Sequence, residues 1–356
     1  MTEEGKVAIK QLPTGIRGLD EILGGGVPEF SFNIIAGAPG SGKTTLAQQF
    51  VFANATPTNP ALYFTVLGEP ALKMLRYQQQ YIFFDASKLN SAVRFVNLGP
   101  MLSEKGLAGV LAEIAQQVES SNPSVVVVDS FRTVVRNAQE TQSEIEAFIQ
   151  DLGLLLTGWQ ATTFLIGEYM ESEIRDNPVF TVADGLLWLY QTVERNSVVR
   201  KLQVMKLRGQ ASVPGLHTFR ITNAGVQAFS RTLGLSARKR HVPGRKRLST
   251  GIAELDKMMG GGIPEGDSLL IAGSSGTGKS LLSTHFIDSG IRAGEPGIVA
   301  VFEERPDEYA GRASSFGLDL NTPMAAGSLR VIYLRPLDLS VDETMQAILD
   351  PIDTAQ

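Results

Sequence analysis

The chain has 356 residues, of which 43% are apolar and 19% are charged, a balance that is typical of globular proteins and excludes a disordered chain. Its 32 basic and 37 acidic residues give a net charge of −5, which argues against a strongly basic nucleic-acid surface. The absence of cysteine excludes disulfides, thiolate zinc sites and cysteine nucleophiles. Residues 1–11 have no apolar core, and no apolar run reaches the ~18 residues of a membrane span. We therefore expect a cytoplasmic protein without a membrane partner.

A segment near the N-terminus is repeated later in the chain. The sequence TGIRGLDEILGGGVPE at residues 14–29 recurs as TGIAELDKMMGGGIPE at residues 250–265, which is 236 positions further on. This repeat predicts two tandem copies of one domain. Residue 356 of the second copy corresponds to Ser120 of the first copy. The predicted organisation is a lead-in at 1–13, a complete domain at 14–230, a basic linker at 231–249 and the front half of a second domain at 250–356.

A glycine-rich octet follows the first repeat segment. Residues 37–44 fit the pattern G-x-x-x-x-G-K-[ST] of a phosphate-binding loop, between an apolar strand predicted at 32–36 and a helix predicted at 46–52. The backbone N–H groups and the helix N-terminus bind phosphates, while the lysine reaches the β- and γ-phosphates and the hydroxyl completes the Mg²⁺ shell. We therefore assign ATP binding to Gly37, Ala38, Pro39, Gly40, Ser41, Gly42, Lys43, Thr44 and Thr45, with Thr44 also as a Mg²⁺ ligand.

The same octet occurs in the second copy, again 236 positions further on. Two such octets at one constant spacing are not explained by an incidental glycine turn. We assign nucleotide binding there to Gly273, Ser274, Ser275, Gly276, Thr277, Gly278, Lys279 and Ser280. The hydroxyl of Ser280 takes the Mg²⁺ role of Thr44.

Residues 124–130 contain an unbroken β-branched run that is followed by an acid, Asp129. Such a run is typical of a central parallel strand, and its carboxyl end lies at the edge of the sheet where nucleotides bind. Asp129 is therefore our candidate Mg²⁺ ligand, with capping of the next helix as the alternative. Other apolar runs predict a mainly parallel sheet through Ile34, Phe64, Val96, Val127 and Phe164, followed by antiparallel strands near Leu187, Val204 and Phe219.

The acid that would activate water differs between the two copies. In the second copy Glu303 and Glu304 follow a predicted strand, where a carboxylate can take a proton from water. The first copy has Leu67 and Gly68 at these positions and Glu69 one residue later. We interpret Glu69 as the base of the first site. The alternatives are a surface acid at this position and a first site that hydrolyses slowly.

The repeat motif, the phosphate-binding loop and the glutamate pair, in tandem copies, resemble the KaiC family of RecA-like ATPases. The stretch LQVMKLRG at residues 202–209 resembles the K-L-R-G signature of that family. This resemblance implies a RecA-like α/β P-loop NTPase fold and a homohexameric ring that binds Mg·ATP at subunit interfaces, hydrolyses it slowly and serves signalling or regulation with a protein partner. It also implies that Lys206 and Arg208, which alternate along one strand, reach the γ-phosphate of a neighbouring subunit. The alternative is that both are solvated charges on an edge strand.

The chain also departs from that family. The glutamate pair is missing from the first copy, and residues 210–212 are Gln-Ala-Ser where the family has Thr and His. The part of the second domain that in this family carries the second Mg²⁺ acid and the Ser/Thr autophosphorylation site is not among these 356 residues, so we do not assign autokinase activity. The basic linker contains no aromatic residue between its charges, so we interpret it as a solvated connection and not as a nucleic-acid contact. Two further functions remain open, namely a RecA- or RadA-type DNA-binding ATPase and a non-hydrolysing, nucleotide-gated scaffold.

Overall fold

The computed structural model describes residues 9–66, 71–137, 140–175, 177–194, 197–231, 246–335 and 339–354. The chain divides into two compact units, residues 1–231 and 232–356. The predicted base Glu69 lies outside the described residues, and so does residue range 232–245, which holds most of the predicted linker.

The first unit alternates strands and helices along the chain. Its strands are β1 (Gln11–Leu12), β2 (Val27–Pro28), β3 (Phe32–Gly37), β4 (Ala61–Thr65), β5 (Val93–Asn97), β6 (Val125–Asp129), β7 (Thr162–Gly167), β8 (Gly185–Glu194), β9 (Ser197–Leu207), β10 (His217–Thr222) and β11 (Gly225–Phe229). Its α-helices are α1 (Leu19–Leu23), α2 (Lys43–Asn54), α3 (Ala71–Gln78), α4 (Gly99–Ser121), α5 (Phe131–Asn137), α6 (Gln142–Gly158) and α7 (Pro178–Val182). Short 3₁₀ helices occupy Ala86–Lys88 and Glu171–Ile174.

Nine of these strands form one sheet in the order β11-β10-β9-β8-β3-β7-β6-β4-β5. The six strands from β8 to β5 in this order are parallel, and β9, β10 and β11 are antiparallel to their neighbours. This arrangement confirms the mainly parallel RecA-like α/β fold. The strand near Leu187 differs from the prediction, because it runs parallel to β3, with Leu187 opposite Ile35, and antiparallel only to β9. The chain between β7 and β8 contains α7 and crosses back to the edge of the sheet at which the parallel strands begin. Strand β8 therefore enters the sheet in the same direction as β3 and is the last parallel strand along the chain.

The parallel strands are buried on both faces, as the β-branched run in β6 predicts. Successive residues of one strand enter different clusters of apolar side chains: Ile34 packs with Val110 and Ile114 of α4, whereas Ile35 packs with Leu46 and Phe50 of α2. The sheet thus separates two apolar layers, one beneath α4 and α6 and the other beneath α1 and α2. Because both layers fix the strands, the loops at their carboxyl ends are held in place.

The second unit contains strands β12 (Arg247–Leu248), β13 (Ile263–Pro264), β14 (Gly297–Val301) and β15 (Leu329–Tyr333), and helices α8 (Ala253–Met258), α9 (Lys279–Arg292), α10 (Pro306–Ser315), α11 (Asn321–Ala326) and α12 (Val341–Thr354). Strands β14 and β15 pair in parallel, as β4 and β5 do in the first unit. Residues 268–273, which correspond to β3, are in no strand. In the first unit β3 is enclosed by β7 and β8, whose counterparts are not among these 356 residues. Leu270 is 89% exposed, whereas the equivalent Ile34 is completely buried.

Candidate functional site

The phosphate-binding loop of the first unit joins the end of β3 to the start of α2, and glycines determine its path. Gly37 has φ of +143°, and a Cβ atom there would lie 2.1 Å from the carbonyl oxygen of Leu189 in β8. Gly42, the residue before α2, has φ of +101°. Side chains other than hydrogen are strained in this region of backbone conformation. The glycine spacing in the sequence therefore dictates the loop that the structure contains.

Lys43, the first residue of α2, lies over this loop. Its Nζ donates hydrogen bonds to the carbonyl oxygens of Gly37 at 3.0 Å and Ala38 at 2.8 Å. The residue is only 7% exposed, and burial lowers the pKa of its ammonium group, while the charges of Glu168 and Asp129 raise it. A buried cation at the N-terminus of a helix is a strong attractor for phosphate.

The second phosphate-binding loop holds its lysine in the same way. Lys279 Nζ donates to the carbonyl oxygens of Gly273 at 2.9 Å and Ser274 at 2.7 Å. Gly278 precedes α9 with φ of +86°, as Gly42 precedes α2. The repeated octets thus adopt matching lysine contacts in the two units.

Asp129 is the last residue of β6 and lies beside the first loop. The Thr44 hydroxyl and the Tyr63 hydroxyl both donate to Asp129 Oδ2, each at 2.7 Å. Burial raises the pKa of the Asp129 carboxyl, and the hydrogen bonds from Tyr63 and Thr44 and the charge of Lys43 oppose that rise. The structure therefore brings together Lys43, Thr44 and Asp129, three of the residues to which the sequence analysis gave side-chain roles at this site.

Thr44 and Asp129 suit a Mg²⁺ ion, because a hydroxyl and a carboxylate are the hard oxygen ligands that it prefers. Over the described ranges, no group of three or more His, Asp and Glu side chains is arranged to hold a metal by itself. A Mg²⁺ ion at this pair would thus share its shell with phosphate oxygens and water, as is usual for this ion.

Sequence reasoning missed Tyr63, whose side chain is completely buried in β4. Its hydroxyl reaches Asp129 because β4 pairs directly with β6, with Tyr63 opposite Val127. The available signal was a tyrosine within an otherwise apolar parallel strand, since a buried hydroxyl needs a hydrogen-bond partner. Burial raises the pKa of Tyr63 well above its ordinary value, and the neighbouring Asp129 charge raises it further, so the phenol stays protonated and donates.

We expect Tyr63→Phe to reduce the free energy of unfolding of the first unit by about 1–3 kcal/mol, because the buried Asp129 loses a donor. Urea unfolding followed by the fluorescence of Trp159 and Trp188 measures this loss, since both tryptophans lie in the first unit. The control is Tyr77→Phe, whose side chain is 64% exposed and which should leave the transition unchanged. Equal midpoints for Tyr63→Phe and the wild-type chain would contradict the expectation.

A cavity of about 710 Å³ opens in front of the first loop. Lys43, Thr44 and Asp129 line one side of it, and Tyr81, Arg200 and Ile221 line another. Besides Arg200, three charged residues that the sequence analysis did not select also line it, namely Arg132, Arg136 and Glu168. The cavity therefore combines a phosphate-binding end with an aromatic and apolar wall, as a nucleotide site requires.

The glutamate pair of the second unit follows β14. Glu303 is exposed, and Glu304 forms an ion pair with Arg312 of α10 at 2.5 Å. The structure thus places both residues just after the strand end at which the sequence predicted them. Because Glu304 is paired with Arg312, Glu303 is the less constrained carboxylate of the two.

Lys206 and Arg208 lie together near the end of β9. Lys206 Nζ donates to the carbonyl oxygens of Phe180 at 3.3 Å and Thr181 at 3.2 Å, and Arg208 pairs with Asp184 at 3.1 Å. Burial and the charge of Arg208 lower the pKa of Lys206, while Asp184 raises it. Neither residue lines the cavity of its own phosphate-binding loop.

Strand β9 is irregular just before these two residues. A bulge in β9 places Lys206 opposite Leu186 and Val204 opposite Leu187, and β9 ends at Leu207, before Arg208. Because this bulge precedes Lys206, it lies outside the step from Lys206 to Arg208 for which alternation was predicted. Their shared contact is the region around Asp184, next to the start of β8.

Sheet order, phosphate-binding loop and the Thr44–Asp129 pair define a P-loop nucleotide-binding protein with a RecA-like fold. The family model of the KaiC ATPase matches residues 12–232 and 248–350. The chain therefore belongs to the KaiC ATPase family.

Curated relatives extend this similarity over nearly the whole chain. The circadian clock oscillator protein KaiC of Picosynechococcus sp. is 27% identical over 354 residues, which cover 97% of this chain and 68% of that protein. The protein of the same name from Thermostichus vulcanus is 26% identical over 362 residues, covering 99% and 69%. That from Rippkaea orientalis is 28% identical over 361 residues, covering 99% and 68%.

Among the described residues, no helix combines the length and the apolar character that crossing a membrane requires.

Proposed function

We propose that this chain is a Mg²⁺-dependent ATPase that binds ATP at the subunit interfaces of a homohexameric ring and hydrolyses it slowly. The observation that carries the proposal is the contact of Thr44 with Asp129 beside the buried Lys43, at one end of a cavity large enough for a nucleotide. ATP binding is the property that the family implies, and the ring, the metal and the slow rate are our extension of it. A regulatory or signalling role with a protein partner completes the proposal.

In the first domain, residues 37–45 would surround the phosphates with backbone N–H groups, and Lys43 would exchange its carbonyl contacts for phosphate oxygens. Thr44 and Asp129 would hold Mg²⁺, which neutralises charge on the phosphates when it is bound. The Tyr63 hydroxyl keeps the Asp129 carboxylate oriented toward Thr44. These roles require no rearrangement of the strands, because β3 and β6 are fixed by burial on both faces.

We extend the assignment to the second copy. Lys279 and Ser280 would take the roles of Lys43 and Thr44, and Glu303 and Glu304 would supply the water-activating acids. The matching lysine contacts of the two loops support this extension. The boundaries predicted from the repeat, with a complete domain at 14–230 and the front half of a second at 250–356, are part of the same proposal.

Lys206 and Arg208 would complete the first site from a neighbouring subunit. Both are absent from the lining of their own cavity, and the Arg208 side chain is 60% exposed. Arg208 has a forked guanidinium that suits a terminal phosphate, and its partner Asp184 is half-exposed, so the cost of exchanging this ion pair is small. A head-to-tail interface places such a shared site at every subunit boundary, and it forms a ring when the rotation between subunits closes.

A subunit-mixing experiment tests this arrangement, in chains that carry Lys279→Ala so that only the first site is active. We expect Lys43→Ala and Arg208→Ala each to abolish phosphate release alone. An equal mixture, allowed to exchange subunits, should recover about a quarter of the parental rate, because one in four interfaces then combines an intact Lys43 with a neighbour's intact Arg208. A mixture that stays inactive, or full activity of Arg208→Ala alone, would contradict action across the interface.

A further inference from the structure

Glu168 follows the last residue of β7 and emerges at the edge of the sheet where the phosphate-binding loop lies. In the sheet order β3-β7-β6, strand β7 lies between the strand that leads into the loop and the strand that ends in Asp129. Its residue Gly167 is opposite Ala36 of β3, and Ile166 is opposite Asp129 of β6. The next residue, Glu168, is therefore placed between the two halves of the candidate site.

The side chain of Glu168 lines the same cavity as Lys43 and Asp129. Its charge raises the pKa of Lys43 more strongly than the charge of Asp129 does, and it also raises the pKa of Asp129. The residue is exposed to the cavity, and across the described ranges no hydrogen bond or ion pair engages its carboxylate. Glu168 is therefore an uncommitted carboxylate at the phosphate end of the cavity.

Arg132 on α5 interacts with Glu168 through its charge, without a hydrogen bond or ion pair between the two among the described residues. Arg132 forms an ion pair with Glu173 at 2.8 Å and lies over the ring of Tyr169, with its guanidinium carbon 4.9 Å from the ring centre. Because these two contacts hold Arg132, the carboxylate of Glu168 remains available to a water molecule in front of Lys43. Such a carboxylate, within reach of the attacking water, is what a general base requires.

The first copy also lacks the acids that the second copy has after β14. Leu67 and Gly68 replace Glu303 and Glu304 at the end of the corresponding strand, β4. In the sheet, β7 is separated from β4 only by β6. The end of β7 and the end of β4 thus lie on opposite sides of Asp129, which ends β6. An acid at the end of β7 can therefore approach the γ-phosphate that an acid at the end of β4 would reach.

We propose that Glu168 is the general base of the first ATP site, an inference that rests on the function proposed above. A proton of the attacking water passes to the Glu168 carboxylate while the water oxygen bonds to the γ-phosphorus. The bond from that phosphorus to the bridging oxygen breaks, and ADP leaves with the electron pair. Glu69 is the competing candidate from the sequence, and it enters the test directly.

The test uses the full chain with Lys279→Ala, so that turnover reports on the first site. Glu168→Gln and Glu69→Gln are compared with the matched control Glu171→Gln, an exposed acid three residues after Glu168 that does not line the cavity. Each variant is titrated with a fluorescent ATP analogue and Mg²⁺ and assayed for steady-state phosphate release. The bound nucleotide is then identified after acid quenching, and thermal unfolding by circular dichroism verifies the fold.

We expect Glu168→Gln to lower phosphate release roughly 100-fold or more while nucleotide affinity stays within about threefold of the parent. The variant should also retain ATP in uncleaved form, which a merely structural role does not produce, and Glu171→Gln should behave as the parent. Trapped ATP in Glu168→Gln supports the inference whatever Glu69→Gln does. Parental turnover in Glu168→Gln, or loss of its nucleotide affinity, overturns the inference about Glu168 and leaves the proposed ATPase function in place. A parent that binds no ATP overturns the proposed function and this inference with it.

Discussion

Replacing Lys43 with alanine should weaken Mg·ATP binding at the first site roughly 100-fold, which corresponds to about 2.7 kcal/mol. The ammonium group lies over the loop, and among the described residues its hydrogen-bond acceptors are two backbone carbonyls, so phosphate oxygens are better partners for it. The fold should survive the change. Burial lowers the pKa of Lys43, which means that its charge costs stability in the folded chain and that alanine removes this cost.

The measurement is a titration with a fluorescent ATP analogue in the full chain with Lys279→Ala, which leaves a single site. Lys105→Ala, an exposed lysine on α4, controls for a general loss of positive charge. Affinity of Lys43→Ala within a few-fold of the parent would contradict the assignment of the loop. Loss of the tryptophan-monitored unfolding transition would instead indicate a structural role for Lys43.

Replacing Asp129 with asparagine should separate activity from stability. Phosphate release should fall roughly 100-fold or more, because the amide is neutral and a poor Mg²⁺ ligand. Stability at neutral pH should stay equal or increase, since the amide oxygen still accepts from Thr44 and Tyr63. The sign follows from the raised pKa of Asp129: an acid whose pKa is higher folded than unfolded stabilises the fold at acidic pH and loses that contribution as pH rises through the folded pKa.

Urea unfolding and phosphate release on the same preparations test this prediction, with Mg²⁺ varied in the activity assay. The control is Asp151→Asn, an exposed acid on α6, which should change neither quantity. An Asp129→Asn chain that turns over ATP at the parental rate would exclude Asp129 from the metal site. An inactive but strongly destabilised chain would show that Asp129 is needed for the fold instead.

The sequence predicted the parts of the site whose chemistry is local. The octet at 37–44 dictates its own loop, because glycine at positive φ and the lysine at the start of α2 belong to one short segment. Asp129 was found because a β-branched run marks a buried parallel strand whose end lies in the site. Neither prediction needs the order of strands in the sheet.

The residues that were missed depend on that order. Tyr63 meets Asp129 because β4 pairs with β6, and Glu168 faces Lys43 because β7 inserts between β3 and β6. Spacing along the chain contains no such information, since these pairs are 66 and 125 positions apart. The orientation of the strand near Leu187 was misjudged for the same reason, because the direction of β8 is set by the crossover through α7.

The most direct test of the proposed ring ATPase is size-exclusion chromatography with light scattering, with and without Mg·ATP, and phosphate release measured on the same fractions. We expect an assembly of about six chains that forms with Mg·ATP and releases phosphate slowly, which would place Lys206 and Arg208 at a working interface. A monomer in both conditions that releases no phosphate would contradict the proposal.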